Sequence, residues 1–487
     1  MFRLSLHNLF LLGLLLLFYT GVSSQLKLPS VFSDNMVLQR DKPLPVWGKA
    51  NPGSSVTVSF LTQQKSSIAD KEGNWKVVLD PLLLSVTPAD LVIKNEAILT
   101  FHNVLVGDVW LCSGQSNMEY TLDRRLKKYA APKNGTDPSV DEVNKTGKPP
   151  AIRYLYVERA LNKFPELPTK GWADGNDTIV RYVSAIGYFF AKEIYEKTNI
   201  PIGIISSSWG GTRIEEWTPS SAYKQSKVFR QFVNTDTFRI DGLKPGQKYK
   251  GIIEPLIPFA IKGVLWYQGE SNCMIEDQDT YPEKFRLFVN AWRTLFKDDN
   301  LPFYTVQISP YLYSARKDAL KHGTDLLPKF WEAQTKCLSV ANTGMVVTTD
   351  LVDNLKDIHP SYKWEIAHRL ALQAMKKSYA INSIVSSGPV YQSAKRKKNK
   401  IVLSFSHTES GLISRDGLPL TWFSIAGKNG SFVNASAVIE NNKVILHSTE
   451  IKKPKYVRFA WDESAQPNFF NKEGLPALPF RTDNFGK

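Results

Sequence analysis

A chain of 487 residues is too long for one ordinary core and is expected to divide into two to four folded units. With 43% apolar, 12% aromatic and 22% charged residues, it can bury a large core, which excludes wholesale disorder. The formal charge of +15 points first to nucleic acid, but the basic residues are dispersed, and the densest run, Lys395-Arg396-Lys397-Lys398, reads as a solvated hairpin turn. No nucleic-acid partner is expected, and the diffuse positive field favours anionic substrates or acidic glycans by steering.

Residues 1–24 read as a signal peptide: Arg3, the apolar run Leu9 to Phe18, then small residues before a cleavage expected ahead of Gln25. That run is shorter than the ~20 apolar residues of a membrane span, and no later segment reads as a membrane helix, so no membrane insertion is expected after its removal. A secretory route, ending in the lysosome or outside the cell, makes the sequons at Asn134, Asn144, Asn176, Asn429 and Asn434 available for glycosylation. Only Cys112, Cys273 and Cys337 are present, so a disulfide scaffold is excluded and at least one thiol is free or paired between chains. A bridge between Cys112 and Cys273 is one expectation, since both lie beside polar motifs of the central region.

Residues 25–105 carry short alternating runs, Val56–Phe60 and Trp75–Leu79, punctuated by Pro52-Gly53 and Glu72-Gly73-Asn74, and are expected to form a β-sandwich-like unit. Residues 106–380 differ in kind. Strand-like runs at 109–112, 202–206, 263–267, 303–308 and 345–349 alternate with helix-length amphipathic segments, the pattern of a largely parallel sheet. Phe285, Phe288, Val289, Trp292 and Phe296 share one helical face, with Pro282 suited to its first turn. Residues 381–487 return to β-type runs, Lys400–Phe405 and Lys443–Leu446, and form the second flanking β region.

Parallel sheets bind ligands beyond the carboxyl ends of their strands, so the loop after each strand carries the information. After the first strand comes Ser113-Gly114-Gln115-Ser116-Asn117, a turn able to present a hydroxyl. After the second comes Trp209-Gly210-Gly211-Thr212-Arg213, where paired glycines expose backbone N–H donors. The third ends in Trp266-Tyr267-Gln268-Gly269-Glu270, supplying an amide and a carboxylate. The fifth runs through Asp350 and Asp353 to Asp357-Ile358-His359-Pro360, placing His359 just before a helix marked by Ala367, Leu370, Ala371 and Ala374. The chain lacks His-Glu-x-x-His and clustered Cys/His ligands, so no metal is expected.

These four motifs, with Phe32–Arg40 and Gly474–Asp483 outside them, closely resemble the sialate O-acetylesterase family, in order and nearly end to end. The resemblance implies an SGNH-like three-layer α/β/α domain and a serine esterase without cofactor. Its substrate would be O-acetylated sialic acid or a related acetylated glycan, and the β domains would shape the pocket rim. Ser116 is then the nucleophile, His359 its base and Asp357 the group orienting the imidazole. Asp353, Asp350 and a helping Glu270 remain alternatives, because the broader superfamily places its acid three residues before the histidine, where this chain has Lys356. The implied oxyanion donors are the N–H groups of Ser116 and of Gly211 or Gly210, with the amide of Gln268. Gln115, Asn117, Arg213 and Glu270 are candidate substrate contacts, Arg213 through the carboxylate of a sialic acid. The competing readings are an acetylesterase of other glycans and a catalytically silent glycan-binding protein.

Overall fold

The structure, a computed structural model, describes residues 26–133, 135–160, 165–232, 238–317 and 320–485. The expected signal peptide and the Asn134 sequon lie outside the described residues. The other four sequon asparagines are exposed.

In strands Ser55–Phe60 and Asn74–Leu79, every second side chain is buried (Val56, Val58, Phe60; Trp75, Val77, Leu79), as period-2 alternation requires of a sheet with one wet face. Strand Ile98–Gly114 continues from this N-terminal unit. Its first half pairs antiparallel with Ser85–Lys94 and parallel with Val37–Gln39, and its second half lies in the centre of the larger sheet. One element therefore belongs to both units and fixes them against each other.

Across the larger sheet the strand order is Thr343–Val346, Phe303–Val306, Gly263–Tyr267, Ile98–Gly114, Ile202–Ser208, Ile152–Tyr156 and Trp172–Asp174. All neighbours are parallel except the last pair. Its core strands are buried on both faces, which accounts for their continuous apolar runs. On one face Trp110 meets Phe190 of helix Ala185–Thr198 edge-on, ring centroids 5.0 Å apart. Helix Lys363–Lys377 packs beside that helix. On the opposite face Trp266 packs on Phe288 and Trp292 of helix Tyr281–Phe296, at 4.4 and 6.2 Å. Helices on both faces of a parallel sheet make the three-layer α/β/α arrangement.

The sequence pattern did not reveal strands Ile152–Tyr156 and Trp172–Asp174, because Arg153 and two tyrosines break the aliphatic run although Arg153 is itself buried. The strand expected at 345–349 spans Thr343–Val346, where pairing to Phe303–Val306 ends. Cys112, Cys273 and Cys337 are all free and buried, so the Cys112–Cys273 bridge does not form. Cys112 instead packs under Gly187 of helix Ala185–Thr198, where an added methyl would fall 2.8 Å from its sulfur.

The C-terminal region has its own core of Leu403, Phe423, Phe459 and Phe469 between antiparallel sheets. Lys395 to Lys398 do lie at the tip of an exposed hairpin, with Lys397 paired to Lys400. Arg481 clasps Glu332, Arg415 bonds Asp350, and Glu463 accepts from the Ser314 N–H (2.9 Å), tying this region to the central layer.

Gly114 ends the shared strand with φ at +135°, and a β-carbon there would lie 2.2 Å from the Tyr267 carbonyl oxygen. Only glycine tolerates both conditions. Gly114→Ala is expected to cost at least the ~1–3 kcal/mol of an overpacked core, measured as a lower thermal or urea midpoint; an unchanged midpoint would show that the turn has room to relax.

Candidate active site

The parallel register brings the carboxyl ends of three strands to one edge, with Gly114 opposite both Ser208 and Tyr267. From that edge the chain turns at Gln115, whose N–H donates to the Tyr267 carbonyl (2.9 Å), and Ser116 opens a single helical turn, Ser116–Glu119. His359 arrives from the loop after strand Thr343–Val346, and its Nε2 lies 2.9 Å from the Ser116 hydroxyl oxygen. The two residues are 243 positions apart in sequence.

Asp357 lies against the other side of the ring, Oδ1 to Nδ1 at 3.5 Å, and the same oxygen accepts the backbone N–H of His359 at 2.9 Å. The hydrogen bond from His359 holds the Asp357 carboxyl below its usual range, although partial burial works the other way. The two alternative acids are engaged elsewhere. Asp350 is clasped by Arg369 and Arg415, and Asp353 accepts the Tyr362 hydroxyl (2.9 Å) and the Lys133 N–H (2.8 Å). Tyr129 packs by the imidazole, centroids 5.2 Å apart, and stacks on Tyr120. A tyrosine in a stretch with no periodic pattern gave no sign of this in the sequence.

Among the expected oxyanion donors, the N–H groups of Ser116 and Gly211 have no acceptor among the described residues. Above Gly211 the space is open. The N–H of Gly210 instead donates to Glu119 (2.9 Å), which also holds Arg159 and Lys127. Gln268 corrects the sequence reading. Its amide nitrogen faces Asn272 Oδ1 (2.7 Å), the Thr212 carbonyl (3.2 Å) and Gln115 Oε1 (3.3 Å), and the residue is buried. With its donors committed inside the protein, it braces the floor of the site and presents no free N–H to a carbonyl oxygen.

The four candidate substrate contacts are likewise turned inward. The Gln115 side-chain oxygen, Oε1, accepts the N–H groups of Gly269 and Ser271. Asn117 and Glu270 bond each other at 2.6 Å, both buried. Arg213 is largely buried, and its Nη2 donates to the Asp241 carbonyl at 2.7 Å, which fixes the direction of the guanidinium.

The chain is similar to known proteins over most of its length. The family model described as carbohydrate esterase, sialic acid-specific acetylesterase, matches residues 106–376. The sialate O-acetylesterase of Homo sapiens is 29% identical over 414 residues, covering 78% of this chain and 76% of that protein. That of Rattus norvegicus is 30% identical over 437 residues, covering 76% and 77%. The crystal structure of a carbohydrate acetylesterase from Xanthomonas citri superposes with a TM-score of 0.81 at 34% identity, covering 94% of this chain and 100% of that one.

Beneath the floor, Glu215, Asp241 and Asp277 crowd together as a metal site would, but the space holds a buried ammonium, Lys284 Nζ, 2.8 Å from Glu215 and 2.7 Å from Asp277. Burial works to lower the lysine, and the carboxylates of Glu215, Asp277 and Asp241 outweigh it, leaving the ammonium raised. Asn272, which faces Gln268, also donates to Glu215 and Asp277, so this cluster supports the floor. Lys284→Met strands two buried carboxylates and is expected to cost about 3–5 kcal/mol in urea unfolding; a cost below ~1 kcal/mol would mean that the carboxylates find protons or water instead.

Proposed function

The chain belongs to the sialic acid-specific acetylesterase family of carbohydrate esterases, and from that premise we propose that it removes O-acetyl groups from acetylated glycans by serine acyl transfer. The observation that carries the reading is the hydrogen bond between the Ser116 hydroxyl and His359 Nε2, with Asp357 on the far side of the same ring. Nucleophile, base and orienter stand in the spatial order that the chemistry requires, whatever their order in sequence.

Ser116 Oγ attacks the acetyl carbonyl carbon while its proton passes to His359 Nε2. The charge that develops on the carbonyl oxygen meets the open N–H groups of Ser116 and Gly211, donors fixed before the reaction begins. As the tetrahedral intermediate collapses, His359 returns the proton to the departing sugar oxygen, leaving Ser116 acetylated. Water, deprotonated by the same imidazole, then attacks the acetyl-enzyme and releases acetate. Asp357 keeps Nδ1 protonated and stabilises the imidazolium of each step.

The substrate reading stays at the level of acetylated glycans because the Xanthomonas citri enzyme similar over nearly the whole chain is described only as a carbohydrate acetylesterase. The narrower reading, sialic acid, is favoured by the mammalian relatives, which are named sialate O-acetylesterases. Passage through the secretory route to lysosome or exterior is part of the proposal, supported by the exposure of Asn144, Asn176, Asn429 and Asn434.

Acetate release from 9-O-acetyl sialic acid and from acetylated xylan, assayed side by side, separates the two substrate readings. Turnover of the sialoside alone would establish the narrower one. Ser116→Ala is expected to abolish release from either substrate, and retained turnover would remove the serine mechanism. Asp357→Asn is expected to lower kcat by on the order of 10²–10⁴, whereas Asp353→Asn leaves it near wild type; the reverse pattern would transfer the orienting role to Asp353.

A further inference from the structure

We propose that Lys363, Asn117 and Glu270 form a charged clamp that positions the nucleophile's turn against the histidine's loop. The clamp rests on the Ser116 and His359 reading above and adds three positioning residues to it. Asn117 follows Ser116, and its amide makes three bonds. Nδ2 donates to Glu270 Oε1 at 2.6 Å and to the carbonyl of Ile358 at 3.0 Å, and Oδ1 accepts from Lys363 Nζ at 2.7 Å. Ile358 immediately precedes His359. One amide therefore ties the residue beside the nucleophile to the residue beside the base.

The direction of the amide is dictated by charge. Its oxygen meets only an ammonium and its nitrogen meets only acceptors, so a flip would oppose Lys363 to an N–H and two oxygens to a carbonyl. Bonds with one ionised partner are the stronger kind, and in a dry interior a chain of them polarises along its length. All three side chains are within about 1% of full burial: Lys363 at 0%, Asn117 and Glu270 at 1%.

Packing alone does not account for these groups. Lys363 Nζ has the Asn117 carbonyl as its one side-chain acceptor among the described residues, with the ring faces of Tyr120 and Tyr267 at 4.7 and 5.6 Å. Glu270 Oε2 is buried with no partner among the described residues. An ammonium and a carboxylate that bond an amide but not each other are costlier to bury than apolar side chains of the same volume. Their free-energy cost is incurred at the one place where a displacement of about 1 Å between two side chains costs on the order of 10² in rate.

The protonation behaviour agrees with that cost. Burial lowers the Lys363 ammonium to about 7, against weak support from Glu270 and Asp357, and burial raises Glu270. The titratable groups facing the pair are Asp357 and His359 from the histidine loop, Tyr120 and Tyr267 around the ammonium, and Cys273, Tyr281 and Tyr313 around the carboxylate. In the unfolded chain Lys363 keeps its proton to the ordinary lysine range, whereas the folded chain releases it near 7. Stability therefore rises with pH across that window, and at neutral pH and below the lysine weighs against folding. A residue retained for stability has the opposite sign.

The test is Lys363→Met in the full chain, with Asn117→Ala and the double variant beside it. The clamp predicts that Lys363→Met lowers kcat tenfold or more with KM unchanged and a melting temperature equal to wild type or higher. It also predicts that Lys363→Met has no further effect in the Asn117→Ala background, since both changes release the same amide. Wild-type kcat in Lys363→Met, or independent multiplication of the two losses, would overturn it. Should Lys363→Met fail to fold, Glu270→Met removes the acceptor of the Asn117 amide at similar volume and reads the same quantity: reduced kcat at constant KM supports the clamp, and unchanged kcat overturns it. Ser116→Ala separates the two levels of the reading, because an active Ser116→Ala removes the serine mechanism, whereas an inactive one beside a fully active Lys363→Met removes the clamp alone.

Discussion

The contact between Gly114 and the Tyr267 carbonyl, too close for any side chain, sets the geometry on which the rest of the site depends. It closes the gap between two adjacent parallel strands where the backbone must leave the sheet, and the next residue's N–H bonds the same carbonyl. The turn that results places Ser116 at the carboxyl edge of the sheet, half-exposed above a floor of buried polar side chains. A strand-to-helix turn with a β-carbon at that position would carry the serine elsewhere, and no downstream interaction would restore its aim.

Everything else at the site brings distant parts of the chain to that fixed hydroxyl. The parallel register delivers Ser208 and Tyr267 beside Gly114, so the loops that follow them share a rim. The histidine loop comes from the far edge of the sheet. It is held by Asp357 on its own backbone, by the aromatic wall of Tyr129 and Tyr120, and by the Asn117 amide on Ile358. The floor is a continuous network from Gln115 through Gln268 and Asn272 to Glu215, Asp277 and Lys284. A network of this kind is stable only when nearly every donor and acceptor is matched.

Legibility in the sequence followed the strength of local signals. The sheet, its helices and the loops that meet at its edge were readable because parallel strands and amphipathic helices leave strong periodic patterns, and because functional loops follow strand ends. Ser116, His359 and Asp357 lie in those loops, their roles were implied by the family resemblance, and the structure brings the three side chains together. What a side chain does inside the site was not readable. Gln268, Arg213, Asn117 and Glu270 have the chemistry of ligand contacts, and a sequence does not reveal that each bonds a group from another loop. Lys363 was missed for a related reason: a lysine at the first residue of an amphipathic helix reads as its solvated start, and only the fold places it under two tyrosines.

The two buried lysines make the physical distinction between scaffold and machinery. Lys284 is surrounded by Glu215, Asp277 and Asp241, its ammonium is raised, and its charge is matched many times over, which is how a protein buries a cation to hold elements together. Lys363 has no carboxylate within ion-pair distance among the described residues, its ammonium is lowered, and the one group it orders is the amide between serine and histidine. Both are fully buried side chains of the same type within one domain, so burial and residue identity do not separate them. The matching of charge does: where a buried charge is compensated the fold accounts for it, and where it is not, the residue it orders supplies the reason for its presence.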